Sequence, residues 1–362
     1  MKAEISIIIN CIRHNRIDNY NLPFSLFVCG RSSISVPMVK GLKIGRQSNF
    51  KLPWLAPTEA TDEEDDMSAG VTPTRLATIA AALMTVLGAA SARADTILFV
   101  GNSFTFAAYS PAWHYRPGSV TDLNNEGIGG VPALFKLFTQ EAGLTYDVSL
   151  ETSPGKDLQW HIDHKTPVID RAFDHVVLQS YSTLDAKTPG DPTGLIKSTG
   201  VLATMFHARN PKVDIWLDST WSRADLTYQP AGHWYGKPIT AMALDMRAGY
   251  DKAWMATPGV HGVLPVGQAF SRAIATGFAT PNPYKGEGPG QVDLWAFDNY
   301  HASTFGYYLE ALVEFGAITG KDPLSLGPKE TAAQELGISP AQATTLQQIA
   351  HDQLAAEKGS KK

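Results

Sequence analysis

Cysteine is nearly absent from this chain of 362 residues: it holds two, Cys11 and Cys29, and none follows Asp95. From Asp95 onward no disulfide, thiolate nucleophile or cysteine-ligated metal is available. An excess of basic charge is also missing, with 30 Lys and Arg against 35 Asp and Glu and a net charge of -5. Nucleic acid is therefore not an expected partner. No apolar run reaches a comfortable membrane span; 76–90 is too short for one. A phosphate-cradling loop is lacking too, since Gly127-x-Gly129-Gly130 does not fit the dinucleotide pattern. His161 and His164 with Asp157 fall short of an HExxH-like motif, and a solvated helix face is the expectation for them. No metal and no cofactor are expected, and no internal repeat is visible.

The chain divides by composition. Residues 1–66 show no sustained period and end in the acidic run Asp62-Glu63-Glu64-Asp65-Asp66. They read as an upstream extension outside the natural product, with translation starting at Met67. Residues 67–94 have the layout of a secretory signal: Arg75, the apolar run, and Ala92-Arg93-Ala94 as a small-x-small cleavage site. The mature protein is expected to be secreted or periplasmic, without a stable membrane anchor once the signal is cut near Ala94.

The segment 95–325 is expected to form one α/β domain, and 326–362 a peripheral helical tail. Apolar runs at 96–101, 146–151, 175–179, 213–218 and 260–266 read as strands. Helical periods at 131–142, 156–164, 193–209, 239–255, 268–276 and 303–316 alternate with them. That alternation argues for a central parallel sheet of about five strands covered on both faces. Long aromatic loops at 106–129 and 228–237 interrupt the pattern, and loops of such length are more often functional than idle.

Chemistry concentrates at the strand ends. The first strand stops at Gly101 and hands over to Asn102 and Ser103, which places the serine at the carboxyl edge, where open α/β sheets bind ligands. A serine hydroxyl needs a base within hydrogen-bond reach to act as a nucleophile. Histidine suits that role near neutral pH, and a carboxylate on its other ring nitrogen fixes the tautomer. Asp298 and His301, three residues apart before the last long helix, can supply both. Gly155, after the second strand, can aim a free N–H at developing negative charge. Asp214 and Asp218 flank the fourth strand as a further acid pair.

Gly101-Asn102-Ser103, Gly155 and Asp298-x-x-His301, in that order over most of 95–325, resemble the SGNH/GDSL hydrolases. The resemblance implies a flavodoxin-like three-layer sandwich, an acyl-enzyme on Ser103, and Asp298 and His301 as its catalytic partners. It implies an oxyanion hole from the N–H groups of Ser103 and Gly155 and an asparagine side chain after the third strand. Here Gln179 stands in that place, and Asn102 where the family's first block has aspartate. Trp113, Trp221 and Trp234, with Asn102, are the expected substrate contacts. An ester is the expected substrate, with an acylated carbohydrate the leading class because aromatic faces suit sugar rings. The alternatives are a secreted carbohydrate-binding protein without turnover on the same fold, and an O-acyltransferase.

Overall fold

The computed structural model describes residues 93–360, all within the second of two units of the chain, Thr78–Lys362. The upstream extension with its two cysteines and nearly all of the signal-like segment lie outside the described residues. Strands β1 (Asp95–Gly101), β2 (Thr121–Asp122), β3 (Tyr146–Thr152), β4 (His175–Leu178), β5 (Asp214–Asp218) and β6 (Val260–Leu264) form one sheet. The order is β2-β3-β1-β4-β5-β6, and every pairing is parallel. Without β2 this is the flavodoxin-like order.

The sheet thus has six strands where about five were expected. The extra one is a two-residue edge inside the first aromatic loop, with Thr121 opposite Ser149 and Asp122 opposite Leu150. Two residues are too few for an alternating pattern to register in sequence.

Period-two alternation on β1 divides the core. Ile97 and Phe99 point to one face, Leu98 and Val100 to the other, and all four are fully buried. The first face is covered by α1 (Gly130–Glu141), α6 (Val266–Ala275) and α7 (Thr304–Thr319). The second carries α2 (Leu158–Ile169), α3 (Thr193–Arg209) and α5 (Thr240–Ala256). A short helix α4 (Ala224–Tyr228) follows β5.

The C-terminal segment is not peripheral. After α8 (Thr331–Glu335), α9 (Pro340–Ser360) packs on α7 and buries Ala343, Leu346, Ile349 and Ala350 in the first core. Buried Gln347 and Gln353 interrupt the apolar stripe on this face, which conceals the docking in sequence. No described helix is long and apolar enough to cross a membrane.

Three carboxyl groups sit inside that same layer. Asp218 ends β5, Glu310 and Glu314 lie on α7, and one oxygen of each falls within 4.8 Å of the others. Beyond a carboxyl–carboxyl hydrogen bond between Asp218 and Glu310, no donor among the described residues reaches Asp218 Oδ1, either Glu310 oxygen or Glu314 Oε2. Burial raises the pKa of all three, and their mutual repulsion raises those of the glutamates further. Raised folded values mean that the native state holds protons the unfolded chain releases. The stabilisation is therefore full below the usual carboxylate range and declines as pH climbs above it. Glu314→Gln removes one of these titrations. Its melting temperature should fall less than that of the parent protein between about pH 5 and about pH 8; equal falls in thermal denaturation would contradict the assignment.

Candidate active site

Ser103 stands two residues past the end of β1, and the chain folds sharply there. Phe106 N–H donates to the Asn102 carbonyl, Ala107 N–H to Phe104 and Ala108 N–H to Ser103. Gly101 is required at the turn, because a Cβ on it would lie 2.1 Å from Thr105 Oγ1. The hydroxyl of the buried Tyr307 on α7 donates to the Ser103 carbonyl at 3.3 Å and holds the elbow from below.

His301 Nε2 lies 2.9 Å from Ser103 Oγ, and its Nδ1 lies 2.6 Å from Asp298 Oδ2. The other Asp298 oxygen accepts the N–H groups of Tyr300 at 3.1 Å and His301 at 3.0 Å. Burial acts to raise the Asp298 pKa, but the hydrogen bonds from His301 and Tyr300 outweigh it and leave the group below the ordinary carboxylate value. Asp298 is thus ionised at neutral pH and keeps a proton on His301 Nδ1, which frees Nε2 to accept from the serine. The turn is closed by Ala296 N–H donating to the His301 carbonyl, and Asn299 takes a left-handed φ of 57°. Ser303 caps α7 just beyond, as its position in sequence indicates.

Gly155 has a φ of 65°, a conformation that favours glycine, although open space surrounds its Cβ position. Neither its N–H nor that of Ser103 has a hydrogen-bond acceptor among the described residues, and both residues line one cavity with His301. Two free backbone donors beside the serine can receive the oxyanion of a tetrahedral intermediate.

Gln179 does not join them. Its Oε1 accepts Asn102 N–H at 2.9 Å and Thr105 Oγ1 at 3.2 Å, and its Nε2 donates to the Ser180 carbonyl. The orientation is dictated by partners, since an N–H faces the oxygen and a carbonyl faces the nitrogen. The expected hole donor is a brace. Asn102 is not a substrate contact either: it is buried, with Nδ2 donating to the carbonyls of Lys156 at 2.9 Å and Ser180 at 3.0 Å. An aspartate there would set a carboxylate against two carbonyl oxygens, so asparagine is what this site requires.

Of the three tryptophans expected at the substrate, only Trp113 lines the cavity. Trp221 is fully buried between Phe104 and Phe270, at 4.2 and 4.8 Å, and its Nε1–H donates to the Tyr300 carbonyl. It supports the turn that carries Asp298 and His301 from inside the core. Trp234 is buried in the second core and donates to Asp245. Both read as loop residues in sequence, yet long loops that pack on a sheet bury their largest side chains.

Tyr300, Arg223 and Tyr109, which the sequence did not single out, complete the surroundings of His301. Tyr300 tilts against His301 at 4.1 Å, and the Arg223 guanidinium covers its ring at 3.5 Å. Tyr109 stands edge-on to His301 at 5.0 Å with a φ of 62°, a strained backbone that costs of order 1 kcal/mol or more. His161 is buried rather than solvated, and bonds the buried Glu151 across the loop that carries Gly155. Asp157 caps α2 through Trp160 N–H. Of the acid pair flanking β5, Asp214 lies at the outer end and Asp218 in the carboxyl cluster described above. That cluster is the metal-compatible grouping among the described residues, and none of its members lines the cavity.

The sheet order is flavodoxin-like, and Ser103, Gly155, Asp298 and His301, the residues whose motifs resemble the SGNH/GDSL hydrolases, lie together at its carboxyl edge. No family model matches the chain, and no curated protein does. Solved structures match. A DUF4886 family protein from Bacteroides uniformis is 18% identical, with 73% of this chain and 95% of that chain covered and a TM-score of 0.52. A GDSL-like lipase from Parabacteroides merdae is 15% identical over 63% and 96%, with a TM-score of 0.43. A family 3 carbohydrate esterase from Clostridium thermocellum is 14% identical over 62% and 94%, with a TM-score of 0.39. The likeness to the Bacteroides protein shows a common fold.

Gln179→Leu separates a brace from a hole donor. Loss of the brace leaves the buried Asn102 N–H unpaired and should lower unfolding stability by about 1–3 kcal/mol, read by denaturant titration. A loss of rate at unchanged stability would place the amide in the hole instead.

Proposed function

We propose that the protein is an exported serine esterase that cleaves carboxylic esters through an acyl-enzyme on Ser103. The observation that carries this reading is the relay from Ser103 Oγ to His301 Nε2 and from Nδ1 to Asp298, with two unpaired N–H groups beside it.

In the first half-reaction Ser103 Oγ attacks the ester carbonyl while His301 Nε2 takes its proton. The oxyanion forms against the N–H groups of Ser103 and Gly155. Collapse expels the alcohol, which receives the proton from His301. Water then attacks the acyl-enzyme by the same steps, giving the carboxylic acid and free Ser103. Asp298 keeps its charge throughout and stabilises the imidazolium.

Export rests on the signal-like segment. β1 begins at Asp95, so cleavage after Ala94 leaves the strand whole. Among the described residues, the cut removes the ion pair between the exposed Arg93 and Asp174, and surface pairs of this kind contribute little.

The binding-protein alternative draws on one observation, the turning of Gln179 away from the cavity. Ester turnover decides between the two, and product analysis with an added sugar alcohol separates hydrolysis from acyl transfer. With p-nitrophenyl esters, Ser103→Ala and His301→Ala should each lower kcat by about 10⁴-fold or more, and Asp298→Asn by about 10³–10⁴-fold. Folded variants with parental rates, or a folded parent without turnover, would overturn the esterase reading.

A further inference from the structure

Resting on that esterase reading, we infer that the cavity beside Ser103 takes an apolar substituent of the ester, an alkyl or aryl group of about four to eight carbons, rather than a sugar or an acetyl group. The cavity has a volume of about 440 Å³. Beyond Ser103, Gly155 and His301 its wall is made by Phe106, Ala108, Tyr109, Trp113, Pro154 and Tyr300. None of these side chains carries a charge. Trp113 Nε1 is sealed from solvent, and the Tyr300 hydroxyl faces Ser182 Oγ. The Tyr109 hydroxyl is therefore what the side chains of this wall offer a ligand besides the reacting groups.

A sugar ring set against these walls would find the Tyr109 hydroxyl as its side-chain partner besides the reacting groups, and each further hydroxyl that lost water to an apolar wall would cost affinity. An acetyl group would leave most of the space to water. An alkyl chain or aryl ring fills it, and planar walls favour contact with either. The apolar surface continues outward. Phe297 is 80% exposed, and its ring meets that of Tyr109, a wall residue itself 53% exposed, edge to face at 5.1 Å. The left-handed backbone at Ala107 and Tyr109 holds this wall against the catalytic histidine. Strain retained at such a place marks a conformation that the surroundings enforce.

Two ester series test the inference: one with a common alcohol and acyl chains from acetyl to octanoyl, one with a common acetyl group and alcohols of the same lengths. We expect kcat/KM to rise about fourfold per added methylene in one series up to about six carbons, and that series identifies which side of the ester enters. In Trp113→Ala and Tyr109→Ala the kcat/KM ratio of the six-carbon to the two-carbon member of that series should shrink by about tenfold, with Ser103 labelling by a small fluorophosphonate confirming an intact triad. Flat profiles in both series, or faster turnover of acetylated xylooligosaccharides than of any alkyl ester, would overturn the inference and leave the esterase reading standing. Failure of Ser103 to react with any phosphonate or ester would overturn both.

Discussion

A single hydrogen bond, from Ser103 Oγ to His301 Nε2, joins residues 198 positions apart, and the arrangement around it exists to make that distance 2.9 Å. Neither partner sits on a regular element. The serine is carried by the turn after the central strand, and the histidine by the turn before α7. Each turn is therefore anchored to something rigid. Tyr307 reaches from α7 to the Ser103 carbonyl, Trp221 reaches from the core to the Tyr300 carbonyl, and Asp298 accepts two N–H groups of its own turn. Rigid elements set the geometry, and short polar contacts transmit it to Ser103 and His301.

The two departures from the family pattern, Asn102 and Gln179, are physically one feature. Gln179 Oε1 takes the N–H of Asn102, and both side-chain amides donate to the Ser180 carbonyl. Asn102 also reaches the Lys156 carbonyl, next to Gly155. The ends of β1 and β4 and the loop after β3 are thereby cross-linked beneath the serine. Changing either amide alone leaves buried groups unpaired, which costs more than the bond itself is worth. The proposed oxyanion site consists of two backbone N–H groups, with these side chains cross-linking the segments that carry them.

Much of this was legible in the sequence because it is periodic or short-range. Alternating apolar runs and helical periods gave the parallel sheet and its two covered faces, and the Asp298-x-x-His301 spacing gave a relay that closes within one turn. The elbow at Gly101-Asn102-Ser103 was readable because glycine marks a backbone that tolerates no Cβ. What stayed hidden depends on orientation. Nothing in the letters tells whether the Gln179 amide points at a ligand or at Asn102, or that Trp221 and Trp234 fold inward while Trp113 and Phe297 do not. Likewise β2 was invisible because two residues make no pattern, and the docking of α9 because buried Gln347 and Gln353 interrupt its apolar stripe. Glu151 and His161 pair across a loop, and Glu310 and Glu314 meet Asp218 only once α7 lies on the sheet.

The most direct test of the central claim is the structure of the protein from Asp95 onward after reaction with a fluorophosphonate. The account predicts phosphorus bonded to Ser103 Oγ, with one phosphoryl oxygen about 2.7–3.1 Å from the N–H groups of both Ser103 and Gly155. It also predicts Gln179 still bonded to Asn102. An adduct on another residue, or a phosphoryl oxygen held by the Gln179 amide with Gly155 out of reach, would contradict it.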